Sequence, residues 1–326
     1  MHKTATIAIP ARNEENNILR TIDSVLNQKS EYDLEVIVCA NGCSPEDRTK
    51  ELVYEKREKD KRVKLITSKP GKPNAWNKLL DIANYDNIIF MDGDVLAGKN
   101  SVDNLLNFMH QKNLVGAAPL SRKIVTSKNP VVKLMNMPYL EASTSLIGRM
   151  YSIRRTQFIK EMHKKQYHSM PEKIINEDAW ATLILEERED NRIVSKKWAC
   201  TNNAIVYFQA PNIKDKYKQL ERVYLGLIQL EKKHPSLGYE FRKGNSKIKT
   251  IISKIKTIEN NKSKMIASYL INRLTPHEIV MRVVAEEQAI KEYNNNNYSN
   301  VWSIPQSTKK YLSDSQIAKS LKNINI

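Results

Sequence analysis

Asp92 and Asp94, split by Gly93, end the short apolar run Asn87-Ile88-Ile89-Phe90-Met91. Two carboxylates at the carboxyl end of a strand, with a glycine between them free to adopt unusual backbone angles, suit a hard divalent cation. Such a cation commonly also grips the phosphates of a bound nucleotide. The same three residues equally describe a plain acidic turn closing a hairpin. A second acidic pair, Glu177-Asp178, opens an apolar segment through Trp180, Leu183, Ile184 and Leu185. Acids at a helix start are expected on dipole grounds alone, so this pair has a structural reading as well.

The elements that must position these groups alternate strand and helix over the first hundred residues. Thr6–Ile9 reads as a strand leading to Pro10-Ala11-Arg12-Asn13, after which Glu14 and Glu15 open a helix with Asn13 as its N-cap. Ile18, Ile22, Val25 and Leu26 form its apolar stripe. Leu34–Ala40 is a second strand ending at Asn41-Gly42, and Ser44-Pro45-Glu46-Asp47 starts a second helix with cap, N1 proline and acids in order. Val63–Thr67, Lys72–Ala83 and Asn87–Met91 follow as strand, helix and strand. Repeated βα units imply a parallel sheet whose ligand sits at the carboxyl ends of the strands. Three polar turns, at 12–14, 41–42 and 92–94, then converge on one crevice. Later segments read as a strand entering a helix at 148–155, a helix from Glu177 and another over Ile213–Lys232, with a boundary near Gly238–Gly244.

Composition narrows the class. The chain has 326 residues, 40% hydrophobic and 7% aromatic, enough for one large α/β domain with an appendage. No apolar run reaches the 18 or so residues that span a bilayer, and Met1-His2-Lys3 runs directly into a strand pattern without room for a signal peptide. Cys39, Cys43 and Cys200 make neither a disulfide framework nor a zinc-site spacing. These features predict a cytoplasmic protein. A net charge of +17 points to polyanionic partners, among them nucleotide diphosphates and anionic lipid.

Taken in order, five segments resemble the inverting glycosyltransferases of family two, which have a GT-A fold. Ile9-Pro10-Ala11-Arg12-Asn13-Glu14-Glu15 is similar to the family's first nucleotide-binding segment, and Val38–Ser44 with Asp47-Arg48-Thr49 to its second. Gly71–Asn77 resembles the segment before the metal turn, Asp92-Gly93-Asp94 the metal turn itself, and Glu177-Asp178 the catalytic acidic pair. The likeness covers about Thr6 to Tyr224. It implies an α/β GT-A (nucleotide-diphospho-sugar transferase) fold with a mostly parallel central sheet, over residues 1–240, followed by a basic helical C-terminal region, 241–326.

It also implies roles. Asp94 and Asp92 would hold Mn2+ or Mg2+, which lowers the barrier by offsetting charge on the leaving diphosphate. Asp178, beside Glu177, would take the proton of the attacking hydroxyl on the opposite face of the sugar, giving inversion. Pro10, Arg12, Glu14, Asn41, Lys72, Asp92 and Gly93 would contact the nucleotide sugar, and Arg149 and Arg222 the acceptor or diphosphate. Lys72, Arg12 and Glu14 also have readings as a solvated turn lysine and as cap or dipole residues.

Two departures from the family pattern matter. Gln219-Leu220-Glu221-Arg222-Val223 resembles the Gln-x-x-Arg-Trp motif of processive members but lacks the tryptophan, which implies one sugar per event. Asn41 stands where an aspartate is common; its amide both donates and accepts, which favours uracil and a UDP-sugar donor. The acceptor is left as a hydroxyl on a glycan, a lipid-linked sugar or a small molecule. His234 is a further metal-ligand candidate, while His163 and His168 read as surface and Trp76 and Trp198 as packing residues.

Lys243 to Arg273 carries eight basic residues against the single acid Glu259, and Ile248, Ile251, Ile252, Ile255 and Ile258 share one helical stripe. The stripe suits packing against the catalytic domain, and 246–258 also suits peripheral contact with an anionic membrane at the inner face. Thr275-Pro276-His277-Glu278 then reads as a capping box. Two other functions stay open: a sugar-phosphate nucleotidyltransferase, against which no glycine-rich loop follows the first strand, and a nucleic-acid or anionic-lipid binding protein on an inactive transferase domain. Nucleic acid is not expected, because no aromatic-basic stacking platform is evident.

Overall fold

The computed structural model describes residues 3–128, 136, 140–141, 145–146, 148–189, 192–241 and 276–295. Strands β1 (Thr4–Ala11), β2 (Asp33–Asn41), β3 (Val63–Ser68) and β4 (Asn87–Met91) alternate with helices α1 (Ile18–Leu26), α2 (Thr49–Lys59) and α3 (Lys72–Ile82). β1 and β2 are buried along almost their whole length, as their near-continuous apolar runs require of strands covered on both faces. β3-β2-β1-β4 pair in parallel, with Ile9 opposite Val38 and Ile7 opposite Ile89.

Beyond β4 come β5 (Val95–Ala97), α4 (Ser101–Gln111), β6 (Gly116–Ile124), β7 (Leu140–Glu141) and β8 (Met150–Arg154). They are followed by α5 (Arg155–Lys164), α6 (Glu177–Ile184), β9 (Glu186–Glu189), β10 (Arg192–Lys196), β11 (Trp198–Gln209), α7 (Ile213–Lys233) and α8 (Pro276–Asn294). The main sheet continues β4-β8-β6-β11-β5, with β7 on β6. β8 runs antiparallel to β4 and β6, while β11 is parallel to β6 and antiparallel to β5. The parallel character expected from the sequence therefore belongs to the first four strands, and the second half of the sheet is mixed. The change of direction at β4/β8 is a topological switch, and the carboxyl ends of β1, β2 and β4 open beside it.

One apolar core covers each face of the sheet. Trp76 stacks on Phe90 at 4.7 Å and meets Trp180 edge-on at 6.1 Å, and its Nε1–H donates to the Tyr151 hydroxyl. Trp198, also buried, donates to Glu186 Oε1 at 3.1 Å. Both tryptophans are packing residues, and α6 is anchored behind the acidic pair by this cluster.

Two predicted helix starts move. Asn13 does not cap α1, which begins at Ile18; Asn13 adopts a left-handed φ of 54° and accepts the Ser44 N–H at 2.9 Å. Asparagine tolerates that conformation, and the tie to the β2–α2 loop outweighs the local cap preference. α2 begins at Thr49 rather than Ser44; Ser44–Asp47 is a turn, and Asp47 Oδ1 accepts the Thr49 N–H at 3.1 Å.

α8 starts at Pro276 and packs on α7, where Ala289 meets Leu225 and Ile228. The basic stretch 243–273, the stripe 248–258 and Thr275 lie outside the described residues.

Candidate active site

The twelve residues picked out by the sequence line one cavity of about 230 Å³ at the carboxyl ends of β1, β2 and β4. Pro10, Arg12 and Glu14 come from the end of β1 and its loop, Asn41 from β2, Lys72 from the start of α3, and Asp92, Gly93 and Asp94 from the turn after β4. Arg149 precedes β8, Glu177 and Asp178 open α6, and Arg222 lies on α7. βα topology brings the first eight together, because every strand end in a parallel sheet points to the same edge.

Lys72 organises the floor. Its Nζ contacts Asp92 Oδ1 at 2.6 Å and also pairs with Glu177 Oε1, so it bridges the turn after β4 and the start of α6. It is 8% exposed, so it is not a solvated turn lysine, and it lines the cavity. Burial would lower its pKa, but the two carboxylates hold it above the ordinary lysine range. Asp92 is pushed up by burial, a tendency that Lys72 opposes and Glu177 reinforces.

Asp178 is held differently. Its Oδ2 accepts the Gly148 N–H at 2.9 Å and its Oδ1 accepts the Ala179 N–H at 2.8 Å. Burial and then the neighbouring Glu177 charge raise its pKa above 3.8, against the opposing pull of Lys72 and the two amides. Two immediate neighbours in sequence thus have different environments: Glu177 is 3% exposed and ion-paired, and Asp178 opens partly to the cavity.

The turn that carries Asp92 and Asp94 is fixed by backbone and by α1. The Asp92 N–H donates to the Arg149 carbonyl at 3.0 Å, and the buried Thr21 hydroxyl lies 2.9 Å from the carbonyls of both Gly93 and Val95. Gly93 does not take a positive φ. Its lack of a side chain serves close approach instead, since a Cβ there would lie 2.9 Å from Glu14 Cγ.

Asn41 is 4% exposed and its Nδ2 donates to the Ala11 carbonyl at 3.0 Å, tying β2 to the end of β1. One amide hydrogen is therefore committed within the protein, and the amide is less available for base recognition than the sequence implied. The Arg149 guanidinium stacks 3.6 Å above the Phe208 ring, and burial lowers the pKa of Arg222, against the pull of Glu177, Asp178 and Asp92. His234 is not in the cavity; its Nδ1 lies 3.1 Å from the Tyr167 hydroxyl. His163 and His168 are exposed, as expected.

Several lining residues were not singled out from the sequence: Val95, Gly148, Asn176, Phe208 and Gln209. Phe208 and Gln209 end a strand with no distinguishing motif. Asn176 was detectable in principle, as an amide immediately before an acidic pair.

Residues 6–178, more than half of the chain, match the family described as Glycosyl transferase family 2. The chain belongs to that family. Family-2 relatives include a poly-beta-1,6-N-acetyl-D-glucosamine synthase of Staphylococcus aureus, 29% identical over 154 residues, or 47% of this chain and 35% of the synthase. The chain thus matches about a third of the length of that relative. A glycosyltransferase of Haemophilus influenzae is 35% identical over 112 residues, 34% of this chain and 44% of the relative. Among solved structures, a mannosyltransferase from Pyrobaculum calidifontis in complex with GDP-Man and Mn2+ superposes with a TM-score of 0.61 at 14% identity. That match covers 91% of this chain and 89% of the other, and it shows the shared GT-A fold. No described helix is long and apolar enough to cross a membrane.

Proposed function

We propose that this glycosyltransferase moves one sugar per event from a nucleotide-diphospho-sugar to an acceptor hydroxyl, with inversion at the anomeric carbon. The observation that carries the reading is the Asp178 carboxylate. It opens partly to the cavity, is aimed by two backbone amides and has a raised pKa, beside a turn bearing two more acids. A base whose pKa approaches the working pH accepts protons more effectively. In the reaction the acceptor hydroxyl gives its proton to Asp178 as its oxygen bonds to the anomeric carbon. The carbon–oxygen bond to the diphosphate breaks, and its electron pair leaves with the nucleoside diphosphate.

Asp94, with Asp92 behind it, suits Mn2+ or Mg2+. Among the described residues no three His, Cys, Asp or Glu side chains are grouped to hold an ion by themselves. That fits an ion bound by one or two carboxylates and completed by substrate phosphates. When bound, such an ion supplies positive charge to the leaving diphosphate. Arg12, Glu14 and Asn41 would contact the nucleotide, and Arg149 and Arg222 the diphosphate or acceptor; Lys72 acts by holding Asp92 and Glu177.

The remaining Asn41 oxygen suits the single ring N–H of uracil, so a UDP-sugar is the favoured donor. Val223 in place of an aromatic residue supports single transfer rather than polymerisation. Residues 1–240 form the catalytic unit and 241–326 a C-terminal region docked through α8. A cytoplasmic enzyme, touching the anionic inner membrane face through 246–258, would reach a lipid-linked acceptor; a soluble glycan or small molecule is the other acceptor class.

Incubating the protein with UDP-sugars, Mn2+ and a panel of acceptors tests the reaction. Release of UDP together with a glycosylated product is expected, whereas release of pyrophosphate would assign nucleotidyl transfer instead. Asp178→Asn is expected to cut transfer by about 10³-fold or more while nucleotide binding survives. Loss of nucleotide binding in a folded variant would remove Asp178 from the role of base.

A further inference from the structure

Asparagine is among the strongest helix N-caps, because its side-chain oxygen accepts a backbone N–H of the first turn. Asn176 occupies the N-cap position of α6 yet makes no capping hydrogen bond. Its Nδ2 instead donates to the Val223 carbonyl of α7 at 2.8 Å. Asp178 Oδ1 takes the Ala179 N–H in its place. A local preference worth about 1 kcal/mol has been overridden by a contact to another helix.

That contact exists because residue 226 is glycine. A Cβ there would lie 2.4 Å from Cγ and Nδ2 of Asn176, so the amide fills the notch where a side chain would stand. One turn further on, Gln229 is 1% exposed and grips the same segment twice. Its Oε1 accepts the Ile175 N–H at 3.0 Å and its Nε2 donates to the Lys173 carbonyl at 2.7 Å. Gln219, Arg222, Gly226 and Gln229 follow helical spacing along one stripe of α7. The first half of that stripe lines the cavity, and the second half holds the segment leading into Glu177 and Asp178.

We propose that Asn176, seated in the notch at Gly226, is a positioning residue that sets α7 against the acidic pair. It thereby fixes Arg222 and Val223 relative to Asp178. The role rests on the assignment of Asp178 as the base. Asn176 acts through Arg222 and Asp178, and a rotation of α7 about its axis would move Arg222 while leaving the β1–β4 edge in place. A displacement of about 1 Å at a reacting group costs on the order of 10²-fold in rate.

A four-member cycle tests this: wild type, Asn176→Ala, Gly226→Ala and the double variant, each measured for Tm, donor KM, kcat and the pH dependence of kcat/KM. Gly226→Ala is expected to lower Tm and to cut kcat about 10–100-fold. Asn176→Ala is expected to cut kcat similarly, to leave donor KM within about twofold, and to shift the acidic limb as Arg222 moves relative to Asp178. The double variant should be no worse than Asn176→Ala, because the clash partner is gone and alanine favours the helix. Asn176→Asp keeps the volume but removes the donor, and it should reproduce the kcat loss. Additive effects in the double variant would overturn the latch. A fall in Tm with kcat and the pH profile unchanged would reduce Asn176 to a structural residue and overturn the positioning role. Absence of sugar transfer by the wild type would overturn the reading of the site and this role with it, while the Tm coupling would still report whether the latch exists.

Discussion

The turn after β4 and the start of α6 carry one acidic pair each, and Lys72 touches one member of both. Asp92 and Glu177 are joined to it, while Asp94 and Asp178 line the cavity beside them. The means of support differ. At the β4 turn every bond ends on a backbone group: the Asp92 N–H donates to the Arg149 carbonyl, and the Thr21 hydroxyl clamps the carbonyls of Gly93 and Val95. At α6, side chains do it, with Asn176 and Gln229 reaching between the acidic segment and α7. A sheet edge survives most side-chain changes because its ladder does not depend on them, whereas a helix placed by two side-chain amides moves when one is lost. The β4 turn is the better tied of the two along the sheet edge, and the start of α6 is the one that loss of a side-chain amide displaces.

Lys72→Met strikes both halves at once and should have the largest effect. It leaves buried Glu177 and half-buried Asp92 without their cation, a loss of at most about 3–5 kcal/mol, the cost of breaking a fully buried pair. Denaturant unfolding reads this, and a variant as stable as the wild type would show that the two pairs are not joined through Lys72. Asp94→Asn affects the β4 turn alone. Nucleotide-induced thermal stabilisation should lose its dependence on Mn2+, and kcat should fall about 10²–10³-fold; retained metal dependence would remove Asp94 from the metal site.

Glu177→Gln addresses only the α6 pair, and its signature is in pH rather than magnitude. Asp178 must be ionised to act as base, so activity rises with pH through its raised pKa. Glu177 is the second cause of that rise after burial, and its neutralisation should move the acidic limb of kcat/KM to lower pH. An unmoved limb would separate Glu177 from the base. Stability follows the same sign: the folded state holds the Asp178 proton more tightly, so this group's contribution declines as pH rises above 3.8. The smallest change is Asn41→Ala. Loss of the bond to the Ala11 carbonyl should cost about 1 kcal/mol, with weaker UDP binding and no shift in the pH profile.

The first half of the molecule was largely legible. β4 has the predicted limits, Asn87–Met91, and α3 starts at the predicted Lys72, because an apolar run of that length bounded by polar turns has few other solutions. The starts of α1 and α2 were misplaced for one reason. Asn13 has cap chemistry but accepts the Ser44 N–H across the β1–β2 edge, and Thr49 at the start of α2 accepts the Glu14 N–H across the same edge, contacts between residues 31 and 35 positions apart. Local pattern has no information at that range. The same limit hid Phe208 and Gln209, brought into the cavity by a strand that pairs with β6 and β5.

From its sequence alone this protein has its alternating elements, its family and the residue types at the site, since hydrophobic period and motif order are local properties of the chain. Only the tertiary structure decided what each acid touches. Glu177 and Asp178 are adjacent in sequence and both charged, and nothing in their local pattern separates them. They part because α6 turns Glu177 to Lys72, a hundred residues away on α3, and aims Asp178 at the amide of Gly148. Ionisation, burial and orientation are set by neighbours in space, and those neighbours come from α3, α7 and the loop before β8.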